Sequence, residues 1–125
     1  MNKPLRIGIA GLGTVGCGAI NILQKNAELI TNRCGRAIEI VAVTASKKNK
    51  KREADISGLK WVNSPLDMVA DNSIDVVVEA IGGSEGIARE LVEKSLSAGK
   101  SVVTANKALI AHHGIGLAKL AEQHN

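Results

Sequence analysis

Aromatic residues are almost absent from this 125-residue chain: it has no phenylalanine and no tyrosine, and Trp61 stands alone. Proteins that bind single-stranded nucleic acid stack bases on aromatic side chains, so that class loses its main device here. No helix-turn-helix or zinc-finger pattern replaces it. The 16 lysines and arginines exceed the 12 acids, giving a net charge of +4. Five of these bases sit together as Lys47, Lys48, Lys50, Lys51 and Arg52, and the others alternate with acids. A solvated loop or a local anion site accounts for the cluster, and no nucleic-acid partner is expected.

No apolar run approaches the roughly 20 residues that span a bilayer, so no membrane partner is expected. The stretch after Lys3 to Arg6 is broken by glycines and lacks the shape of an export signal. Cysteine is scarce: Cys17 falls in a predicted helix and Cys34 in a predicted loop, and neither has metal-ligand spacing around it. That pattern predicts two unpaired thiols, no metal and a cytoplasmic location. Repeats and low-complexity tracts are missing as well. What remains is one domain over residues 1–125, long enough to bury a single core.

Short apolar runs alternate with longer amphipathic stretches. Leu5 to Ala10 suits a strand buried on both faces. Thr14 to about Ile30 carries apolar residues at helical spacing, and Asn32 to Arg36 reads as a turn. Ile38 to Ala45 is a second strand, rich in Val and Ile, followed by a polar loop over Ser46 to Gly58. Leu59 to Val62 suits a short edge strand, and Ser64-Pro65 a helix start. Ile74 to Ala80 is a strand, then a helix opens near Ser84 and stops at Gly99. Ser101 to Thr104 is a fifth strand, and Asn106–Ala111 and Ile115–Gln123 read as two helical pieces parted by Gly114. This order predicts an α/β fold, a doubly wound parallel sheet that lacks a last strand.

The leading motif is Gly11-Leu12-Gly13-Thr14-Val15-Gly16, placed between a predicted strand and a predicted helix, which is the context dinucleotide binding requires. Gly11 permits the turn, Gly13 lets a pyrophosphate approach the backbone, and Gly16 lets helix and strand pack closely. The helix N-terminus then faces the phosphates. An Asp or Glu usually ends the second strand to meet the ribose of NAD. Here that region holds Thr44, Ala45 and Ser46, followed by Lys47 and Lys48. A hydroxyl and two cations favour NADP, with NAD possible; ordinary loop lysines are the alternative.

Ile81, Gly82 and Gly83 follow the fourth strand, where backbone can lie against the nicotinamide, or simply turn. Glu79 reads as a structural hydrogen-bonding acid. Thr104, Ala105 and Asn106 lead to Lys107, which can serve as a proton carrier beside the nicotinamide or as a surface lysine opening a helix. His112 and His113 read as surface residues.

The glycine loop, Ile81-Gly82-Gly83 and the run Gly99-Lys100-Ser101-Val102-Val103-Thr104-Ala105-Asn106-Lys107-Ala108-Leu109 together closely resemble homoserine dehydrogenase, over its N-terminal nucleotide-binding domain. The resemblance implies a Rossmann-type fold and hydride transfer between NAD(P)H and L-aspartate 4-semialdehyde, giving L-homoserine on the way to threonine, methionine and isoleucine. Together with the readings above, cofactor contacts are expected on Gly11, Gly13, Thr14, Val15, Gly16, Ser46, Lys47, Lys48, Ile81, Gly82, Gly83, Thr104, Ala105 and Asn106, and the resemblance implies a catalytic proton transfer on Lys107. Substrate ligands, metal ligands and a homo-oligomer interface would belong to a separate catalytic domain, so this chain alone should bind dinucleotide with little turnover. Two positions depart from many members: an arginine near the end of the second strand is replaced by Ser46 and lysines, and a proline after the Gly-Gly turn by Gly86. A free-standing NADP-binding or sensing module is the alternative.

Overall fold

The computed structural model describes residues 3–48 and 52–124; Lys50 and Lys51 of the basic cluster lie outside them. Five strands form one parallel sheet in the order β3-β2-β1-β4-β5, with β1 Leu5–Ala10, β2 Ile38–Thr44, β3 Lys60–Trp61, β4 Val76–Glu79 and β5 Ser101–Thr104. The first strand is central. It pairs β2 through Ala10 opposite Thr44, and β4 through Ala10 opposite Glu79. That placement explains why Leu5 to Ala10 carries so few polar side chains, since both of its faces are covered.

Ile9, Leu12, Cys17, Ile20 and Val43 form the core on the face covered by α1 (Thr14–Lys25). Ala10, Ala42, Met68, Ile74, Val77 and Leu91 form the core on the other face, covered by a single 3-10 turn at Pro65–Met68 and by α3 (Ile87–Ser97). The fourth helix, α4 (Lys107–His124), packs on α3 through Val92, Leu109 and Leu117. Chain order and strand order together make this an α/β doubly wound sheet of Rossmann type.

Five local expectations fail for identifiable reasons. The helix expected over Thr14 to Ile30 is two helices, because Asn26 turns out of it. Its backbone N–H and its side-chain Nδ2 both donate to the Ile22 carbonyl, at 3.0 and 3.1 Å. A separate α2 (Ala27–Cys34) then runs through most of the expected turn and ends at Gly35, whose φ of 77° is left-handed. Cys34 is thus the last helical residue and not a loop residue.

The start at Ser64 yields only one 3-10 turn, although the cap is present: Ser64 Oγ accepts from the Leu66 N–H and Asp67 accepts from the Ser64 N–H. The helix after β4 opens at Ile87, not Ser84, since Gly82, Gly83 and Gly86 all have positive φ. Gly114 does not break α4. A mid-helix glycine costs about 1 kcal/mol, and burial of Leu109 and Leu117 on either side of it outweighs that.

Candidate functional site

The carboxyl ends of β1, β2 and β4 border a hollow of about 660 Å³. The glycine loop forms its floor. The Gly11 N–H donates to the Thr44 carbonyl at 2.9 Å, which ties the loop to the end of β2. Gly11 has φ of 104°, and a Cβ there would stand 2.5 Å from the Ala80 carbonyl oxygen. At Gly16 a Cβ would stand 1.9 Å from the Gly11 carbonyl oxygen, so the loop closes on the helix only with glycine there. Gly13 differs: it is exposed, and a Cβ would meet nothing within 4 Å. The open space lies where a phosphate would sit against backbone. Gly13 also caps α1 without any side-chain hydrogen bond to its first amides.

Thr44, Ala45, Ser46 and Lys47 form the wall beyond β2. Thr44 is 1% exposed, and its Oγ1 has no hydrogen-bond partner among the described residues. An unsatisfied buried hydroxyl costs about 1–3 kcal/mol, and the residue that carries this one borders the hollow. No carboxylate stands among the described lining residues. An exposed anion cradle, an orphaned hydroxyl and a cationic wall all fit a dinucleotide phosphate. Lys48 is exposed and outside this lining, although its carbonyl takes part in the wall through Arg52. Arg52 itself lines the hollow and was not singled out from the sequence. The basic cluster was visible, but not that the chain returns to the cleft six residues after Ser46.

The opposite wall runs from Ala80 and Ile81 into a hydrogen-bonded ring. Glu79 is 0% exposed. Its Oε2 accepts from the N–H groups of Ile81 and Gly82 at 2.8 and 3.0 Å, and its Oε1 accepts from the Thr104 hydroxyl at 2.5 Å. Thr104 Oγ1 in turn accepts from the Asn106 N–H at 3.0 Å. The Asn106 side chain closes the ring by donating to the Gly83 carbonyl, while its Oδ1 accepts from the Leu109 N–H and caps α4. The structural reading of Glu79 agrees with this geometry. Thr104 and Asn106, singled out for cofactor contact, also brace the two turns that follow β4 and β5.

Lys107 follows Asn106 at the first turn of α4 and is exposed. It borders a separate hollow of about 450 Å³ with Thr104, Ala105, Ile110 and Ala111. Asn106, the residue before it, is the one tied to the Gly83 carbonyl, so Lys107 directly follows a residue that bridges the β4 and β5 turns. Thr14 and Val15 are exposed on the first turn of α1. His113 Nε2 meets Glu85 Oε2 at 2.7 Å, and this hydrogen bond, with the Arg89 guanidinium, holds the Glu85 carboxyl below its usual range. His112 is exposed.

The family model described as the homoserine dehydrogenase NAD-binding domain matches residues 11–125. A homoserine dehydrogenase of Pseudomonas aeruginosa is 49% identical over 112 residues, and one of Neisseria gonorrhoeae 46% identical over 123. These matches cover 90% and 98% of this chain but only 25% and 28% of those proteins. A solved homoserine dehydrogenase from Thiobacillus denitrificans superposes with a TM-score of 0.89 at 45% identity, over 97% of this chain and 28% of that one. A hyperthermophilic archaeal homoserine dehydrogenase in complex with NADPH shares the fold, with a TM-score of 0.74 at 24% identity over 99% of this chain and 42% of that one. The chain thus spans about a quarter of the length of the curated relatives it matches. With the glycine cradle, the orphaned Thr44 hydroxyl and these matches in hand, the chain belongs to the homoserine dehydrogenase NAD-binding domain family.

Proposed function

We propose that residues 1–125 are the cofactor-binding domain of a longer cytoplasmic enzyme that interconverts L-homoserine and L-aspartate 4-semialdehyde with NADP(H). The observation that carries this reading is the cleft itself: a glycine cradle open at Gly13, flanked by Ser46 and Lys47, with no carboxylate among the described residues that line it. A carboxylate at the end of β2 would favour the free ribose hydroxyls of NAD; cations and a hydroxyl favour a 2′-phosphate. When bound, the nicotinamide accepts or donates the hydride.

This chain's residues bind and orient. The amides of Gly13, Thr14 and Val15 face the pyrophosphate, and the α1 N-terminus favours its charge. The Gly82-Gly83 turn, held by Glu79 and Asn106, presents backbone to the nicotinamide end. Lys107 exchanges a proton with the substrate oxygen, and its side chain is free to move at the first turn of α4. Substrate ligands, a further catalytic lysine that the family resemblance implies, and the oligomer interface come from the remainder of the enzyme, so the chief contribution here is proximity.

Calorimetric titration with NADP⁺ and NAD⁺ at low and moderate salt tests the reading. Tighter NADP⁺ binding that weakens with salt, and is lost in Lys47→Ala/Lys48→Ala, is the expected result. Failure of both nucleotides to bind at millimolar concentration would overturn it. Adding the family's catalytic domain in trans should then restore turnover of L-homoserine; tight binding with no turnover would favour a sensing module.

A further inference from the structure

A run of exposed lysines is a poor discriminator, since a flexible ammonium is a point charge with no preferred plane. Here, however, Arg52 is tied to the residues that leave β2. It lies beyond them in the sequence and yet lines the same cleft as Gly13 and Lys47. Its guanidinium donates through Nη1 to the Lys48 carbonyl at 3.0 Å and through Nη2 to the Lys47 carbonyl. It also lies over the ring of Trp61, 5.5 Å from the centroid, within the range of a cation–π contact.

Trp61 is itself firmly seated. It pairs opposite Val43 in the sheet and packs against the core on the α1 face. The next residue, Val62, donates its N–H to the Val43 carbonyl at 3.1 Å. A rigid aromatic face thus meets the one cation whose planar fork can stack on a ring and hold two carbonyls together. The β2 end of the cleft is where this fold receives the adenosine ribose.

We propose that Arg52 and Trp61 set this chain's preference for a 2′-phosphorylated dinucleotide. Arg52 acts as a positioning residue: by gripping the Lys47 and Lys48 carbonyls it holds their backbone so that Ser46 and Lys47 face the cleft, and it adds its own charge to the wall. Trp61 fixes the plane of the guanidinium. The inference rests on the NADP reading above and goes beyond it by naming the residues that create the preference, one of them outside the cleft lining.

The test is calorimetry of NADP⁺ and NAD⁺ on the chain and on Arg52→Gln, Trp61→Leu and Trp61→Phe, with circular dichroism confirming that each is folded. Arg52→Gln should weaken NADP⁺ roughly tenfold or more, the scale of a charge-assisted hydrogen bond, and leave NAD⁺ within about twofold. Trp61→Leu should weaken NADP⁺ about two- to fivefold, and Trp61→Phe, which keeps a ring, less. In the parent chain NADP⁺ should also change the emission of Trp61, its only tryptophan; that change should shrink in Arg52→Gln. If the chain prefers NADP⁺ and Arg52→Gln keeps the preference, this inference fails while the cofactor reading stands. Equal loss of both nucleotides in Arg52→Gln also overturns it, since that marks a general role in shaping the cleft. A parent chain with no preference for NADP⁺ removes both. Should Trp61→Leu fail to fold, Arg52→Gln and Trp61→Phe decide.

Discussion

Replacing Glu79 by glutamine tests whether the ring between the β4 and β5 turns is held by charge-assisted hydrogen bonds. The wild-type carboxylate accepts three hydrogen bonds in a fully buried position. Hydrogen bonds to a charged group contribute about 1.5–3 kcal/mol each, against about 1 kcal/mol for neutral pairs. Glutamine can still point its oxygen at the Ile81 and Gly82 amides. Its amide nitrogen then faces Thr104 Oγ1, which already accepts from the Asn106 N–H, so the Thr104 hydroxyl loses its acceptor.

Two weakened bonds and one lost give roughly 2.5–7 kcal/mol, reduced by relief of the desolvation cost of a buried charge. A net loss of about 2 kcal/mol is the expected outcome. It is read as a lower urea midpoint at unchanged slope. Thr104→Val removes the other partner, and the double variant should show a coupling of about 1 kcal/mol or more, as for residues in one network. Glu79→Gln within about 0.5 kcal/mol of the parent, or a coupling indistinguishable from zero, would mean that charge at Glu79 does not hold the two turns together.

The glycine loop separates stability from binding. Gly16→Ala drives a Cβ to 1.9 Å from backbone oxygen and should cost about 3 kcal/mol or more, visible as a lowered melting temperature. Gly13→Ala meets nothing within 4 Å, so it should melt within a few degrees of the parent yet weaken dinucleotide binding about tenfold or more by titration. The carboxyls of Asp71 and Asp75 are held below their ordinary 3.8, by hydrogen bonds from Ser73 and from the Arg6 backbone N–H respectively. Groups with lowered folded values stabilise above their unfolded value and lose that contribution as pH falls through the lowered one. Stability should therefore be insensitive to these two groups above about pH 5 and decline below about pH 4. Asp75→Asn should flatten the decline in acid melting curves, and an unchanged curve would remove Asp75 from the account.

Sequence made the strands legible because the central ones are short, mostly aliphatic runs between breakers, as at Leu5–Ala10 and Ile38–Thr44. The floor of the cleft was legible for a similar reason, as three glycines in a strand-to-helix turn admit few other geometries. Tertiary choices were not. Asn26 leaves the helical path with both donors on one carbonyl, a local bond that helical spacing does not register. Gly114 stays helical because Leu109 and Leu117 are buried against α3, which no local propensity reports. Arg52 reaches the cleft by returning over Trp61, a long-range contact made by a residue whose neighbours all read as surface. Lys48 looked equivalent to Lys47 in sequence and differs only in which way the chain turns.

Strand order turns the carboxyl edge of the sheet into a scale. From β2 through β1 and β4 to β5 are three steps, each about 4.8 Å in the hydrogen-bonding direction, or roughly 14 Å in all. The wall with Ser46 and Lys47 stands at one end of that span, and Lys107 stands at the other. Between them lies rigid, fully paired backbone, so the two ends share no side-chain partner. Changes at sites this far apart with no shared contacts add nearly independently. On the function proposed above, an exchange of one cofactor for the other at the β2 end would leave proton transfer at the β5 end untouched, and each trait could be altered on its own.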